Sequence, residues 1–224
     1  MSIQSLVKNT ENILLEMDMI CSGDLFILSS FSREDMIILH IMLSMGMKRD
    51  VVTIDTGRIY QETFEFMERI RDEWNVSIKF LFPDRSEVEY MVDNFGPNLF
   101  YKNREMREMC CKIRKADPLK KILSERKGWI TGIRREQTSL RMNANHMEYS
   151  GRNVKCNPLL DWKYSDVMEY TLKNGIPENI LYKRGYKSIG CLPCTVPSDG
   201  ERDGRWWWED GVKECGIHRE EVMK

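Results

Sequence analysis

Five short apolar runs bounded by turn residues constrain this chain most: LFILSS (25–30), VVTIDT (51–56), SIKFLFP (77–83), GWITGIR (128–134) and VKCNPLL (154–160). Each reads as a strand buried in a sheet. Between the first two, MIILHIMLSMGM is apolar nearly all round. After the second, QETFEFMERIRDEW places Phe64, Met67, Ile70 and Trp74 at helical spacing with charges opposite. Repetition of strand, helix and strand at this scale predicts an α/β fold: a parallel twisted sheet with helices on both faces. Ligands of such sheets bind beyond the carboxyl ends of the strands, which directs attention to the loops after Ser30, Asp55, Arg134 and Leu160.

The stretch from about 84 to 127 is mostly helical and rich in charge, and a polar segment follows about 195. We therefore expect one α/β body over residues 1–195 and a tail over 196–224. At 224 residues the chain can bury a substantial core without disulfides or metals. Its 34 basic and 35 acidic residues nearly cancel, so no overall field draws it to nucleic acid and any anion binding must be local. The lack of a long apolar run and the polar N-terminus MSIQSLVKNTENILLEM lead us to expect a cytoplasmic protein without a membrane span. Seven cysteines, an odd number, then point to metal binding or thiol chemistry rather than to a disulfide framework.

Three loops have chemical potential. SSFSREDM opens a helix after the first strand, where backbone N–H groups and serine hydroxyls suit a phosphate or sulfate; the same residues also make a serine cap with Glu34 and Asp35 in the first turn. IDTGR (54–58) could meet a ribose hydroxyl or an adenine edge, and serves equally as a tight strand-to-helix turn. ITGIRREQTSLR (130–141) gathers Arg134, Arg135 and Arg141, whose planar guanidiniums fit the oxygens of an anion.

The cysteines are more specific. Cys110 and Cys111 are adjacent, and CLPC supplies Cys191 and Cys194 with the two-residue gap that lets both thiolates reach one metal. A zinc site usually takes two such knuckles. An adjacent pair is awkward on one tetrahedral ion and easier on separate irons, which favours a [4Fe–4S] cluster over zinc. Lys115 lies one helical turn past Cys111, placed between a cluster and an anionic ligand. Cys21 and Cys156 read as packing residues.

In order and spacing, SSFSREDM, IDTGR, CCKIRKADPL, WITGIRREQTSLR, CNPLLDW, RGYKSIGCLPC and GRWWWEDGVKECGIH resemble the assimilatory sulfonucleotide reductases, above all the cluster-containing adenosine 5'-phosphosulfate (APS) reductases. The resemblance spans roughly residues 25–218 and implies an adenine-nucleotide alpha-hydrolase-like (PP-loop-related) fold with a mobile C-terminal tail. It also implies reduction of APS to sulfite and AMP through an S-sulfocysteine on Cys215, with thioredoxin or a similar dithiol as partner and a homo-oligomeric assembly. It assigns catalytic roles to Cys215, His218 and Lys115, and cluster ligation to Cys110, Cys111, Cys191 and Cys194. Substrate contacts fall to Ser29, Ser30, Phe31, Ser32, Glu34, Asp35, Asp55, Thr56, Gly57, Arg58, Arg134, Arg135, Arg202 and Arg205. Trp206, Trp207 and Trp208 are expected to pack the tail base onto the body.

Ser32 stands where the family pattern has glycine, which raises the question of a positive φ there. The 3'-phosphorylated substrate, PAPS, is the alternative to APS. Reductases acting on PAPS usually lack both cysteine pairs, and Glu34 and Asp35 would repel an extra phosphate near them. More distant alternatives are an ATP pyrophosphatase-type enzyme and a zinc-stabilised nucleotide-binding module.

Overall fold

A six-stranded sheet in the order β3-β2-β1-β4-β6-β5 organises the computed structural model. The structure describes residues 2–211, 214 and 217. The strands are β1 (Leu25–Leu28), β2 (Asp50–Ile54), β3 (Ile78–Leu81), β4 (Gly128–Ile130), β5 (Met147–Ser150) and β6 (Asn153–Cys156). The five expected strands all form and are parallel. The sequence did not announce β5, which pairs antiparallel with β6 at the sheet edge. Its residues MEYS are partly exposed and carry no apolar run.

All four side chains of β1 are buried, and they alternate between two cores. Leu25 and Ile27 face helices α1 (Ile3–Cys21), α2 (Arg33–Ser44), α3 (Gln61–Trp74) and α7 (Tyr164–Asn174); Phe26 and Leu28 meet α6 (Asp117–Leu123) on the other side, with Trp129 beside them. Each apolar side chain taken out of water this way contributes roughly 1.5–3 kcal/mol. Helices on both faces are what the apolar runs predict. Cys21 and Cys156, read from the sequence as packing residues, are buried among these core residues. Among the described residues, no helix is long and apolar enough to cross a membrane.

The helices after β3 place the cysteines. Helix α4 (Arg85–Phe95) precedes α5 (Arg104–Cys111), which runs through a π-helical turn, Lys112–Ala116, into α6. A π turn widens the helix by one residue, and here it begins immediately after the cysteine pair and contains Arg114 and Lys115.

The chain leaving β1 is held by a reciprocal cap. Ser32 Oγ accepts from Asp35 N (3.3 Å), while one Asp35 carboxylate oxygen accepts from Ser30 N (2.7 Å), Ser30 Oγ (3.0 Å) and Ser32 N (3.2 Å). Such a cap is worth about 1 kcal/mol. Ser32 has φ −68°, so a side chain is accommodated at the glycine position without strain. The left-handed residue is its neighbour Phe31 (φ 58°), whose buried ring meets Phe66 edge-on. Gly132, after β4, lets α2 approach: a Cβ there would stand 2.5 Å from Asp35 Oδ1.

Burial, with Glu34 adding to it, raises the Asp35 carboxyl from its ordinary 3.8 to about 6, although the Ser30 amide works the other way. The folded protein therefore holds this proton more tightly than the unfolded chain. The stability linked to it is complete below about pH 4 and is lost as pH rises through about 6. Urea unfolding of wild type and Asp35→Asn across pH 4–8 should show the difference moving against wild type as pH rises, by on the order of 2–3 kcal/mol. A pH-independent difference would contradict this account of Asp35.

Candidate active site

Beyond the carboxyl ends of β1, β2 and β4 lies an open cleft of about 1210 Å³, counted out to bulk solvent, in the place where sheets of this kind bind ligands. The capped loop gives it Ser29, Ser30, Ser32, Glu34 and Asp35, and the turn after β2 gives it Thr56. The loop's amides are already engaged. Besides the Asp35 bonds, Phe31 N donates to Ser29 Oγ (3.0 Å) and Arg33 N to the Tyr182 hydroxyl (3.3 Å). The loop therefore presents mainly serine hydroxyls to a ligand rather than a ring of open N–H groups. The Phe31 side chain is in the core, so only its backbone belongs to the loop.

Among the residues expected after β2, only Thr56 lines the cleft. Asp55 Oδ1 accepts from Gly57 N (2.7 Å), closing the turn in which Gly57 has φ 68°. Arg58 donates to Pro97 O, lies over the Phe100 ring at 5.2 Å and lines a different pocket, described below.

The arginine loop divides its labour in a way the sequence did not reveal. Arg134, expected at the ligand, is fully buried and lies off the cleft wall: Nε donates to Glu34 (2.8 Å), and Nη1 and Nη2 donate to Glu136 and Glu201. Burial works against its charge, but Glu34 and Glu201 outweigh it and hold the guanidinium above its usual range. Arg135 also turns away, to Asp161 (2.9 Å) and the carbonyls of Met142 and Ala144. His146 joins the same group, pairing through Nε2 with Asp161 and through Nδ1 with Asn157 O, both at 2.9 Å. Arg141 is the arginine of this loop that lines the cleft, with Gln137 beside it. Of the two, only Arg141 carried a signal in the sequence, as the third guanidinium of the loop.

Arg202 and Arg205 line the cleft. Arg205 is buried, donates weakly to Ile189 O (3.4 Å), and keeps Nε without an acceptor among the described residues. Gly190 makes room for it, since a Cβ there would lie 2.4 Å from Arg205 Nη2. The segment bearing both arginines is tied to the body by a bridge between Thr195 and Arg205 and by Trp206 N donating to Cys194 O (2.9 Å). Trp206 is buried between the guanidiniums of Arg107 (4.8 Å) and Arg205 (4.9 Å), and Trp208 packs near Phe100 and Tyr101. Trp207 stays half exposed. Lys187, Ser188 and Glu201 also line the cleft; Lys187 and Ser188 lie within the motif RGYKSIGCLPC, but the sequence assigned no role to any of the three.

Cys110, Cys111, Cys191 and Cys194, distant in sequence, line one small pocket beside the cleft. Basic residues surround them: Arg58, Arg107, Arg114 and Lys115 line the same pocket. None of the six described cysteines is in a disulfide. Among the described residues, no three Cys, His, Asp or Glu side chains already converge as ligands of one metal ion. Burial pushes the thiols of Cys110 and Cys194 up, that of Cys194 to about 12, whereas at Cys191 the positive Lys115, the Thr56 hydroxyl (3.4 Å) and Arg205 overcome burial and pull the thiol down. Arg107 Nη1 and Arg114 Nε are buried with no acceptor among the described residues. Lys115 and Cys191 line both the pocket and the cleft, forming a shared wall. Cys215 and His218 lie outside the described residues; of their neighbours, Glu214 pairs with Arg141, and Ile217 lines the cleft.

Known proteins place this architecture. In the Burkholderia cepacia protein named adenosine 5'-phosphosulfate reductase, 40% of aligned residues are identical over 85% of this chain and 78% of that one. The Rhizobium meliloti protein of the same name is 37% identical over 85% and 74%. Among solved structures, a phosphoadenylyl-sulfate (PAPS) reductase from Candida auris in a phosphate complex superposes with a TM-score of 0.69 at 23% identity, covering 87% of this chain and 96% of that one. A Candida glabrata FMN adenylyltransferase with FAD and pyrophosphate gives 0.65 at 17% identity, covering 97% and 76%. These two structural likenesses establish a shared α/β fold. The phosphoadenosine phosphosulfate reductase domain matches residues 24–197, and with relatives of this identity and coverage the chain belongs to that family.

Proposed function

We propose that this chain is an enzyme that reduces adenosine 5'-phosphosulfate to sulfite and AMP, with residues 1–195 as the nucleotide-binding body and 196–224 as the tail bearing the reacting thiol. The observation that carries the reading is the wall shared by the cleft and the four-cysteine pocket, formed by Lys115 and Cys191, in a chain whose relatives at about 40% identity are named APS reductase. Lys115, Arg141, Arg202 and Arg205 supply positive charge where a phosphosulfate must be held, and Ser29, Ser30, Ser32 and Thr56 supply hydroxyls. Relatives at about 40% identity that are named APS reductase support APS over PAPS.

The Cys215 thiolate attacks the sulfur of APS. A sulfur–sulfur bond forms as the bond from that sulfur to the phosphate oxygen breaks, and the electron pair leaves with AMP. A thioredoxin-like dithiol then attacks Cys215 Sγ, releasing sulfite, and its second thiol resolves the mixed disulfide to regenerate Cys215. The two electrons come from the dithiol, which suits a reducing cytoplasm. Lys213 and His218, close in sequence, favour the thiolate.

Cys110, Cys111, Cys191 and Cys194 would hold a [4Fe–4S] cluster. Four thiols in one pocket, basic neighbours, and the buried Arg107 Nη1 and Arg114 Nε, which lack acceptors among the described residues, all fit a sulfur-rich anionic group. When bound, such a cluster supplies negative charge beside Lys115 and rigidity to the wall, without carrying electrons to the substrate. Lys115 itself draws the Cys191 thiol toward its anionic form and presents its charge to the cleft.

Anaerobic sulfite release from APS and from PAPS, with thioredoxin and a reductant, tests the reaction. Wild type should turn over APS, and Cys215→Ser should lose at least about 10³-fold in rate, the scale of removing a nucleophile, with nucleotide binding intact. Equal turnover of PAPS would broaden the substrate, and no sulfite from either, with metal-loaded protein, would overturn the reading. Separately, anaerobically purified protein should be brown and Cys191→Ala colourless with impaired turnover. A colourless, fully active variant would rule out a required cluster.

A further inference from the structure

The carboxylate of Glu214 occupies a place that the chemistry of the cleft reserves for an anion. Arg141 lines the cleft, yet its Nε donates to Glu214 Oε2 (2.7 Å) and its Nη2 to Glu214 Oε1 (2.6 Å), the two-pronged geometry by which guanidinium holds phosphate and sulfate oxygens. The remaining terminal nitrogen, Nη1, donates to Gln137 Oε1. Arg202, also on the cleft wall, has Nη2 3.7 Å from the same carboxylate, and Thr138 Oγ1 donates to it at 2.9 Å. Both partners of the central pair are buried, Arg141 at 5% and Glu214 at 3% exposure. A ligand oxyanion can engage the Nε and Nη2 edge of Arg141 only by displacing this carboxylate.

We infer that Glu214 is an internal competitor for the anion seat of the cleft, holding Arg141 and Arg202 until an oxyanion of the bound nucleotide takes its place. The inference deepens the function proposed above and rests on it for the identity of that oxyanion. Glu214 directly precedes Cys215 in the chain. Exchange at the seat therefore couples arrival of the anion to release of the residue next to the proposed nucleophile. Glu214 is a positioning residue in this scheme, since it acts through Arg141.

A merely structural Glu214 would lose ligand affinity when replaced, whereas a competitor must gain it. Calorimetric titration of the full-length protein with AMP should show Glu214→Gln binding more tightly than wild type, by about tenfold if the seat is open a tenth of the time. Glu214→Asp, one methylene too short to grip both nitrogens from the same backbone position, should fall between the two and provides the test if the glutamine variant does not fold. Affinity equal to or weaker than wild type, in a variant with an unchanged melting temperature, overturns the inference. Titration with inorganic sulfate separates it from the adenylyl-sulfate reading. If wild type binds neither AMP nor APS, that reading fails, yet the same order of affinities for sulfate still supports competition at Arg141, and equal affinities overturn it.

Discussion

The arrangement of this site depends on one buried cation. Arg134 has no exposed surface, and a guanidinium removed from water is tolerated only where acceptors surround it. Its three carboxylates come from different parts of the chain: Glu34 from the first turn of α2, Glu136 from the arginine loop, and Glu201 from the segment that also bears Arg202 and Arg205. Satisfying one charge thus fixes the relative positions of three cleft walls. Removing Arg134 itself leaves the buried Glu34 carboxylate without its cation, which for a buried pair costs about 3–5 kcal/mol.

The same network sets the electrostatics of the cleft. Glu34 and Glu201 line it, but their charge is turned toward Arg134, so they oppose an incoming anion less than their number suggests. Arg205 has no carboxylate among its described partners, and it leans on the Trp206 ring instead. Lys115 sits where the cleft and the cysteine pocket meet, so its charge serves thiols on one side and a ligand on the other. The π turn after Cys111 helps make this possible, since Lys115 falls within the widened segment rather than in a regular helical turn.

Much of the fold was legible because strands buried on both faces must be apolar throughout. LFIL and DVVTI announced themselves, whereas β5, half exposed at the sheet edge, did not. The cap of α2 was one of two readings of SSFSREDM, and the sequence could not choose between a cap and a phosphate cradle because both use serine hydroxyls and helix N–H groups. The four cysteines were legible as a set because adjacency and the CxxC gap are local, and the fold had only to bring the two pairs to one pocket.

The roles of the arginines were not legible. Arg134, Arg135 and Arg141 look alike in the sequence, yet one is an internal strut, one braces an outer loop and one faces the cleft. A guanidinium binds whichever acceptor tertiary structure brings to it, and Arg134 meets Glu34 across 100 positions and Glu201 across 67. The sequence by itself determined what depends on local spacing: the strands and helices, the cysteine pairs and the likeness to sulfonucleotide reductases. Only the tertiary structure decided which charges neutralise one another and which remain turned toward a ligand, because long-range electrostatic pairing has no period along the chain.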